Sequence, residues 1–366
     1  MRKYTYNEIT FMQYIMLIHG AQLGVGILQL PRELAEKAGT DGWISIVLGW
    51  AMSIVASLII IRIMQKNPDA TLLDAFGVYF GKWGKIGGGV ILIAYFGFLT
   101  FIIMARSLLF IKTWILPRTP DVMIMLLFAI PTYLIARNGL RVLGRYAELT
   151  FYLFLSMAFV FFIPWGEAHW HYLLPVVKEG WKPILLAAQT TVVSFLGFEV
   201  AFFLYPFLQK KHLAPAGIVI ANTISMCIFL LITISCFTFF SPEGILWFMQ
   251  PTLNLLKVVE FQFIERLEIV LLAFYLFVVF RVWASYLFWT VYCTTQLRGK
   301  EDHRLDLKLY LLGMVLYPLI FNFTFTQNDN LQKLYGMLGI IFAFVLPVVL
   351  WLYTCGYDYV QRRRTG

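Results

Sequence analysis

Long apolar runs recur along the whole chain, and they constrain its fold more than any other feature. A helix needs about 20 consecutive apolar residues to cross the hydrocarbon core of a bilayer. Runs of roughly that length predict an all-α integral membrane protein with about ten transmembrane helices. They lie near residues 9–30, 42–64, 86–111, 121–136, 147–165, 184–208, 213–240, 266–292, 307–324 and 334–354.

The composition agrees with a membrane location. Hydrophobic residues make up 60% of the chain and charged residues 13%, whereas soluble domains have roughly 45 to 50% apolar and about 25% charged residues. The four cysteines lie within or at the ends of the apolar runs without CxxC spacing, so they predict neither a disulfide framework nor a metal site. No serine-rich or charged linker divides the sequence, and residues 1–366 are therefore expected to form a single membrane domain.

The net charge of +9 has an explanation that does not involve nucleic acid. Cytoplasmic loops of membrane proteins carry an excess of Lys and Arg. If the N-terminus is cytoplasmic, the inner segments carry about twice as many basic residues as the outer ones, among them residues 362–364, which are all arginine. This asymmetry and the even number of spans predict that both termini are cytoplasmic, and no nucleic-acid partner is expected.

Two of the apolar runs contain residues that weaken a helix in its middle. The first run has Gly24 and Gly26 followed by Pro31, and the sixth has Gly197 followed by Pro206. Glycine costs about 1 kcal/mol relative to alanine in a helix interior, and non-helical backbone is tolerated at membrane depth only where protein or a cavity satisfies it. The breaks favour a binding cavity, with close packing of helices at glycine as the alternative.

Similar features recur in the two halves of the chain. Gly197 follows Gly24 by 173 residues. Arg106 and Arg281, the two arginines away from the ends of the apolar runs, are 175 residues apart. Five spans in each half would reverse the direction of the second half. This pattern is typical of inverted-topology repeats whose broken helices meet at the bilayer midplane. Repeat one is expected over about 9–165 and repeat two over about 184–354.

Four motifs, in this order, resemble the spore germination B-subunit family, a branch of the amino acid/polyamine/organocation transporter superfamily. They are residues 24–33 (GVGILQLPRE), 41–44 (DGWI), 194–199 (SFLGFE) and 264–268 (IERLE). The resemblance covers nearly the whole chain. It implies a membrane subunit of a nutrient germinant receptor in the inner membrane of a bacterial spore, acting beside A and C subunits and needing no cofactor. It also implies the superfamily fold of five plus five inverted repeats with helices 1 and 6 interrupted.

A ligand site is expected where the first helix is broken. Free backbone N–H groups at the start of its outer half would attract an anionic group such as an amino acid carboxylate, and glycine lets a ligand approach the backbone closely. The superfamily places span three against the ligand, which adds Tyr95. The candidate ligand-binding residues are Gln22, Gly24, Val25, Gly26, Tyr95, Ser194, Gly197, Phe198 and Glu199.

Glu199 is the acidic residue in the middle of an apolar run, and intramembrane acids are functional hypotheses by default. Two roles remain open. The carboxyl group accepts hydrogen bonds from a ligand amine or water, or it ties the broken span six to backbone N–H groups of span one.

Three further residues within the runs have a structural interpretation. Arg106 and Arg281 can reach the membrane interface by snorkelling, with an ion pair to Glu148 or a place in a polar gate as the alternative. His19 precedes Gly20 and is expected to be a packing residue, although a ligand contact is the alternative.

Enzyme chemistry is not expected, because no Ser-His-Asp pattern, paired carboxylates, HExxH or phosphate loop is present. A receptor subunit that senses a small nutrient and a proton- or sodium-coupled amino acid transporter remain the competing functions. Ion-coupled relatives offer adjacent hydroxyls in span eight or a Lys in span five that faces the break in span one. Span five here has no Lys, and span eight has its single serine past Arg281, which favours the receptor.

Overall fold

The computed structural model describes residues 7–257, 267–300 and 302–365, and this part of the chain is almost entirely helical. The motif at 264–268 therefore lies largely outside the described residues. Within them are fourteen α-helices: α1 (Phe11–Gln22), α2 (Leu30–Ala38), α3 (Gly42–Lys66), α4 (Leu72–Trp114), α5 (Asp121–Ala136), α6 (Leu140–Ala158), α7 (Trp181–Ser194), α8 (Ala201–Leu204), α9 (Ala214–Phe239), α10 (Pro251–Lys257), α11 (Leu267–Arg298), α12 (Arg304–Leu316), α13 (Phe325–Ile340) and α14 (Leu346–Thr365).

Each of the ten predicted apolar runs contains helical structure among its described residues. Judged by length and hydropathy, six described helices are long enough to cross a bilayer, or seven if the bent pair Trp181–Ser194 and Phe198–Phe207 is one span. The number of ten spans therefore stays a prediction. The six are Leu30–Lys66, Leu72–Trp114, Leu140–Glu167, Lys211–Phe239, Ile269–Arg298 and Phe325–Tyr357.

Short polar sequences fix where several helices begin. At the start of α1, the Thr10 hydroxyl accepts a hydrogen bond from the Gln13 backbone N–H at 3.2 Å, and the Gln13 side chain accepts one from the Thr10 N–H at 3.1 Å. Thr71 with Asp74 and Thr324 with Gln327 form the same arrangement before α4 and α13. These capping boxes satisfy backbone donors that would otherwise be unpaired.

The helices that carry the two breaks each pack against several others. α1 packs against α6 and α9, and α3 packs against α7 and α9, while α11 lies along α4. Ahead of α1, the Ile9 N–H donates to the Phe207 carbonyl at 2.9 Å and the Ile9 carbonyl accepts from the Gln209 N–H at 3.2 Å. This bridge joins the start of the first run to the end of the sixth, so the two broken segments are held together at one end.

Candidate functional site

The helical path of the first run stops after Gln22. Leu23 and Gly24 are non-helical, Gly24 is extended (φ −85°, ψ −169°), and a 3-10 turn follows over Val25–Leu28 before α2. Protein groups satisfy the backbone of this break. The Gly24 N–H donates to the Gln22 carbonyl at 2.9 Å, and the Gly24 carbonyl accepts a hydrogen bond from the Tyr275 hydroxyl at 2.8 Å. The Gly24 N–H is thus already bonded and is not one of the free donors that the sequence suggested.

The sixth run is broken between α7 and the 3-10 turn Phe198–Val200. The helical segments on either side are bent by 44°. Gly197 has φ +129°, a conformation that residues with a Cβ rarely adopt. The Glu199 Oε2 atom accepts a hydrogen bond from the Gly197 N–H at 2.6 Å, so the acid stabilises the turn that precedes it.

The two breaks touch each other at Gly197. A Cβ on this residue would lie 2.6 Å from the carbonyl carbon of Ala21 and 2.7 Å from the backbone nitrogen of Gln22. The Gln22 side-chain Nε2 donates to the Phe195 carbonyl at 3.0 Å. Glycine is therefore required at position 197 for two reasons. The backbone conformation there disfavours a Cβ, and the end of α1 approaches too closely to leave room for one.

Glu199 is buried and belongs to a cluster of tyrosines. Its Oε1 atom accepts hydrogen bonds from the hydroxyls of Tyr95 at 3.0 Å and Tyr286 at 3.1 Å. The Tyr95 hydroxyl is also 2.9 Å from that of Tyr335. Of the predicted site residues, Tyr95, Gly197 and Glu199 are thus brought into direct contact. The backbone N–H bound to Glu199 belongs to its own break and not to span one, which corrects that part of the second role considered for this acid.

A buried polar network extends from the end of α1 into α9. Gln22 Nε2 donates to Asn222 Oδ1 at 2.7 Å, and the Ser225 hydroxyl donates to Gln22 Oε1 at 2.5 Å. The His19 Nδ1 atom lies 2.9 Å from the same hydroxyl. Because the serine proton is directed to Gln22, the consistent tautomer has His19 donating from Nδ1. Gln22 therefore links the first break to the carbonyl of Phe195 and to α9 at once.

The space around the first break is open on one side. Neither Gly24 nor Gly26 has any atom within 4 Å of the position that a Cβ would take. Gly24 is half-buried and Gly26 is exposed, while the Val25 side chain lies outside the described part of the chain. Next to the turn is an apolar cavity of about 30 Å³, whose walls include Ile27 and Tyr275.

The remaining two candidates lie at the sixth break but point elsewhere. The Ser194 hydroxyl donates to the Thr190 carbonyl one turn earlier at 3.2 Å. Phe198 is fully buried, and its ring meets that of Phe344 edge-on at 5.3 Å. Both residues support the shape of the break, and the hydrogen bonds of the polar cluster do not involve them.

The snorkelling interpretation of the two arginines is wrong, because both side chains are buried. Arg106 forms an ion pair with Asp329 at 2.7 Å and lies over the rings of Phe110 and Phe325. Arg281 is 0% exposed, and its Nη1 is 3.4 Å from the carbonyl of Ala147. The sequence could not show these partners, since they lie on distant helices.

Sequence reasoning missed several residues that shape the site. Tyr275 and Tyr286 both lie on α11, eleven residues apart, which is close to three helical turns and places them on one face. That spacing was a usable signal. Tyr335, Asn222 and Ser225 gave none, because isolated polar residues in apolar runs have no pattern that pairs them with a distant break.

Solved structures of transporters share this fold. A nucleobase-cation-symport-1 family transporter, MHP1, in a closed conformation with bromovinylhydantoin bound, superposes with a TM-score of 0.67 at 12% identity, over 93% of this chain and 79% of its own. MhsT in complex with L-phenylalanine gives a TM-score of 0.64 at 14% identity, over 92% and 88%. At these identities the likeness establishes an all-α, transporter-like membrane fold.

Relatives by sequence are proteins of spore germination. The chain is 26% identical to spore germination protein GerQB of Bacillus cereus over 95% of both chains. It is 28% identical to spore germination protein A2 of Bacillus subtilis (strain 168) over 96% of both chains, and 29% identical to protein B2 of that strain over 72% of this chain and 73% of the relative. The profile of the family described as "Spore germination protein" matches residues 8–355. The chain therefore belongs to the spore germination protein family, that of the germinant receptor B subunits.

Proposed function

We propose that this chain is the subunit of a germinant receptor that binds a small nutrient, an amino acid or a similar molecule, where its two broken helices meet. The observation that carries the proposal is the direct contact of the breaks, with Gly197 against the backbone of Ala21 and Gln22. A molecule bound at this contact would act on both broken helices at once. Signalling requires that it bind one arrangement of them better than another.

The ligand position that fits best lies between the open side of Gly24 to Gly26 and the cluster around Glu199. The absence of side chains at the two glycines leaves room for a ligand against the backbone. Gln22, Tyr95 and Glu199 are the polar candidates, and Val25 contributes backbone. Gly197, Ser194 and Phe198 shape the opposite wall. This set remains our proposal for the binding site.

Glu199 has limited capacity left for a ligand. A carboxylate has about four acceptor sites on its two oxygens, and Glu199 already uses two on Oε1 and one on Oε2. A ligand amine would bind the free side of Oε2 or displace a tyrosine hydroxyl. Displacement would change the contacts of Tyr95 and Tyr286, which lie on α4 and α11, and so would couple ligand binding to two long helices.

The second candidate function is an ion-coupled amino acid transporter. The fold favours it because the similar structures are transporters, and one of them is a Na⁺-coupled sialic acid symporter. A feature of this chain counts against sodium coupling. Coupled relatives have adjacent hydroxyls in span eight or a Lys in span five that faces the first break. In span eight of this chain, the guanidinium of Arg281 lies against Gly20, just before the break. A fixed positive charge at this place would repel a bound sodium ion.

Membership of this family also supports a proposal for the location and partners of the chain. We infer that it lies in the inner membrane of the spore with both termini in the cytoplasm, as the basic inner segments suggest. A nutrient-induced movement of the broken helices would be read by the A and C subunits of the receptor. In this proposal the transporter-like chain binds the nutrient and the other subunits transmit the signal that leads to germination.

Germination of spores that lack this chain tests the proposal. Spores with and without the gene are exposed to amino acids, sugars and nucleosides, and a complemented strain serves as control. We expect a lost response to at least one nutrient, restored by complementation. Unchanged responses to the whole panel would contradict the receptor role. Gradient-driven accumulation of an amino acid by the purified chain in liposomes would replace it with the transporter.

A further inference from the structure

Arg281 is a buried cation whose charge has no carboxylate partner among the described residues. It is 0% exposed, and its one hydrogen bond runs from Nη1 to the Ala147 carbonyl at a long 3.4 Å. The Nε and Nη2 atoms are buried without any acceptor in the structure. Removing an ion from water costs several kcal/mol unless an opposite charge and hydrogen bonds compensate. Two buried donors of this cation therefore lack a compensating acceptor among the described residues.

The two unpartnered nitrogens lie on one edge of the guanidinium. Their N–H bonds point in parallel, which is the geometry that matches the two oxygens of a carboxylate. Gly20 does not cover this edge. A Cβ on Gly20 would lie 2.3 Å from Nε and 2.7 Å from both Cδ and Cζ, so it would sit above the flat face of the group. Because residue 20 has no side chain, α1 packs on this face, and the edge is buried without a hydrogen-bond partner among the described residues.

His19, which precedes Gly20 in α1, has a second buried atom without a hydrogen-bond partner among the described residues. Its ring meets Phe151 edge-on, and its Nε2 is an acceptor in the tautomer that donates from Nδ1, so this atom does not itself bind a carboxylate. Arg106 provides the contrast, because its buried guanidinium pairs with Asp329. Glu148, the acid considered as a partner for Arg281, accepts a hydrogen bond from Gln13 Nε2 at 3.2 Å. Arg281, between α1, α6 and α11, thus carries a positive charge whose bidentate edge has no acceptor among the described residues.

We propose that the Nε and Nη2 edge of Arg281 binds a small monocarboxylate between α1 and α11. The carboxylate belongs either to the sensed nutrient or to a free organic anion. If the carboxylate belongs to the nutrient, this proposal rests on the proposed function and identifies the nutrient as a carboxylic acid. If it belongs to a free organic anion, this proposal does not depend on the proposed function. The site is buried, so binding requires α1 and α11 to separate locally.

Thermal unfolding of the purified full-length chain in detergent tests the proposal. The midpoint is followed during titration with sodium acetate and with sodium chloride at equal ionic strength. The variants are Arg281→Met, which removes the charge at similar length, and Arg281→Lys, which keeps the charge without the planar edge. Arg106→Met is the matched control, since that arginine already has a carboxylate partner.

We expect acetate to stabilise the wild type saturably beyond chloride. Arg281→Met should lose this response, and Arg281→Lys should weaken the apparent affinity by at least about tenfold, as expected for lost hydrogen bonds to a charged group. Without carboxylate, Arg281→Met should unfold no earlier than wild type, because its buried charge had no partner, whereas Arg106→Met should unfold earlier and keep its acetate response.

A second titration distinguishes the two sources of the carboxylate. L-amino acids are compared with their amides, which lack the acid group. Stabilisation by one amino acid at lower concentration than acetate, and not by its amide, assigns the site to the nutrient. Stabilisation by acetate without such a preference assigns it to a free anion. Equal effects of acetate, amino acids and chloride, or an undiminished carboxylate response in Arg281→Met and Arg281→Lys, would overturn the proposal.

Discussion

Replacing Gly197 with alanine should separate the two broken helices and destabilise the protein. The added Cβ would lie 2.6 Å from the Ala21 carbonyl carbon, where the neighbour is backbone and has no flexible side chain to move. The φ of +129° adds strain, worth about 1–3 kcal/mol for a residue with a Cβ. Overpacking of this kind typically costs about 1–3 kcal/mol. We therefore expect a loss of about 2–6 kcal/mol.

Gly24→Ala is the matched control for this substitution. Gly24 belongs to the other break, its φ is −85°, and a Cβ there would meet nothing within 4 Å. Replacing glycine by alanine where the backbone permits it stabilises a protein by about 0.4–1 kcal/mol through the unfolded state. Gly24→Ala should therefore unfold no earlier than wild type.

The assay is thermal unfolding of the purified variants, together with their abundance in spore membranes. Gly197→Ala should show a lower midpoint and reduced abundance, while Gly24→Ala shows neither. Equal midpoints for the two variants would refute the reasoning, since the close approach at Gly197 would then contribute nothing to the fold.

Three further predictions concern the buried charges and the topology. Glu199→Gln turns one acceptor oxygen into an NH₂ donor beside three groups that donate to this side chain. We therefore expect the free energy of unfolding to fall by about 1–3 kcal/mol and the germination response to weaken. A wild-type response at normal abundance would exclude a role for the charge. Asp329→Asn should lower the unfolding midpoint by the equivalent of about 1–3 kcal/mol, because Arg106 loses its counter-ion. Asp302→Asn, on the surface, is the control and should leave the midpoint unchanged. Equal midpoints for the two variants would contradict this prediction. In a cysteine-free background, an impermeant thiol reagent should label Glu167→Cys and not Thr365→Cys in intact cells, and labelling at 365 would overturn the predicted topology.

The sequence predicted the fold well because lipid imposes a simple rule on composition. Runs of apolar residues long enough to cross a bilayer must be helical, since every backbone group needs a partner within the segment. Non-helical backbone occurs at Leu23, Gly24 and Gly197, the region where glycines weaken the helices. Length alone does not establish the number of spans, because α5 and α12 are short.

The side-chain partners within the site could not be predicted from the sequence. Glu199 stood out as a buried acid, but the three hydroxyls around it belong to α4, α11 and α13, which lie more than 80 residues away. The partners of Arg106 and Arg281 were missed for the same reason. The snorkelling interpretation considered each arginine on an isolated helix, whereas neighbouring helices bury both side chains.

The contact of the breaks also gives the glycines different roles that sequence could not separate. A Cβ on Gly197 would strike the backbone at the end of α1, and one on Gly20 would strike the Arg281 side chain of α11, so close packing explains these two glycines. Gly24 and Gly26 have open space beside them, so packing does not explain them. Close packing thus explains Gly197 and Gly20, whereas the cavity interpretation concerns Gly24 and Gly26.

The dose dependence of germination in Gly24→Val and Gly26→Val spores tests the central claim most directly. Gly313→Val is the control, because Gly313 lies on α12 away from the breaks and also has open space around it. The claim predicts that both variants at the break raise the nutrient concentration for half-maximal germination by at least about tenfold, or roughly 1.4 kcal/mol. The control should match wild type, and all three proteins should be equally abundant. Wild-type dose dependence in both break variants, with protein present, would contradict a ligand site at this break.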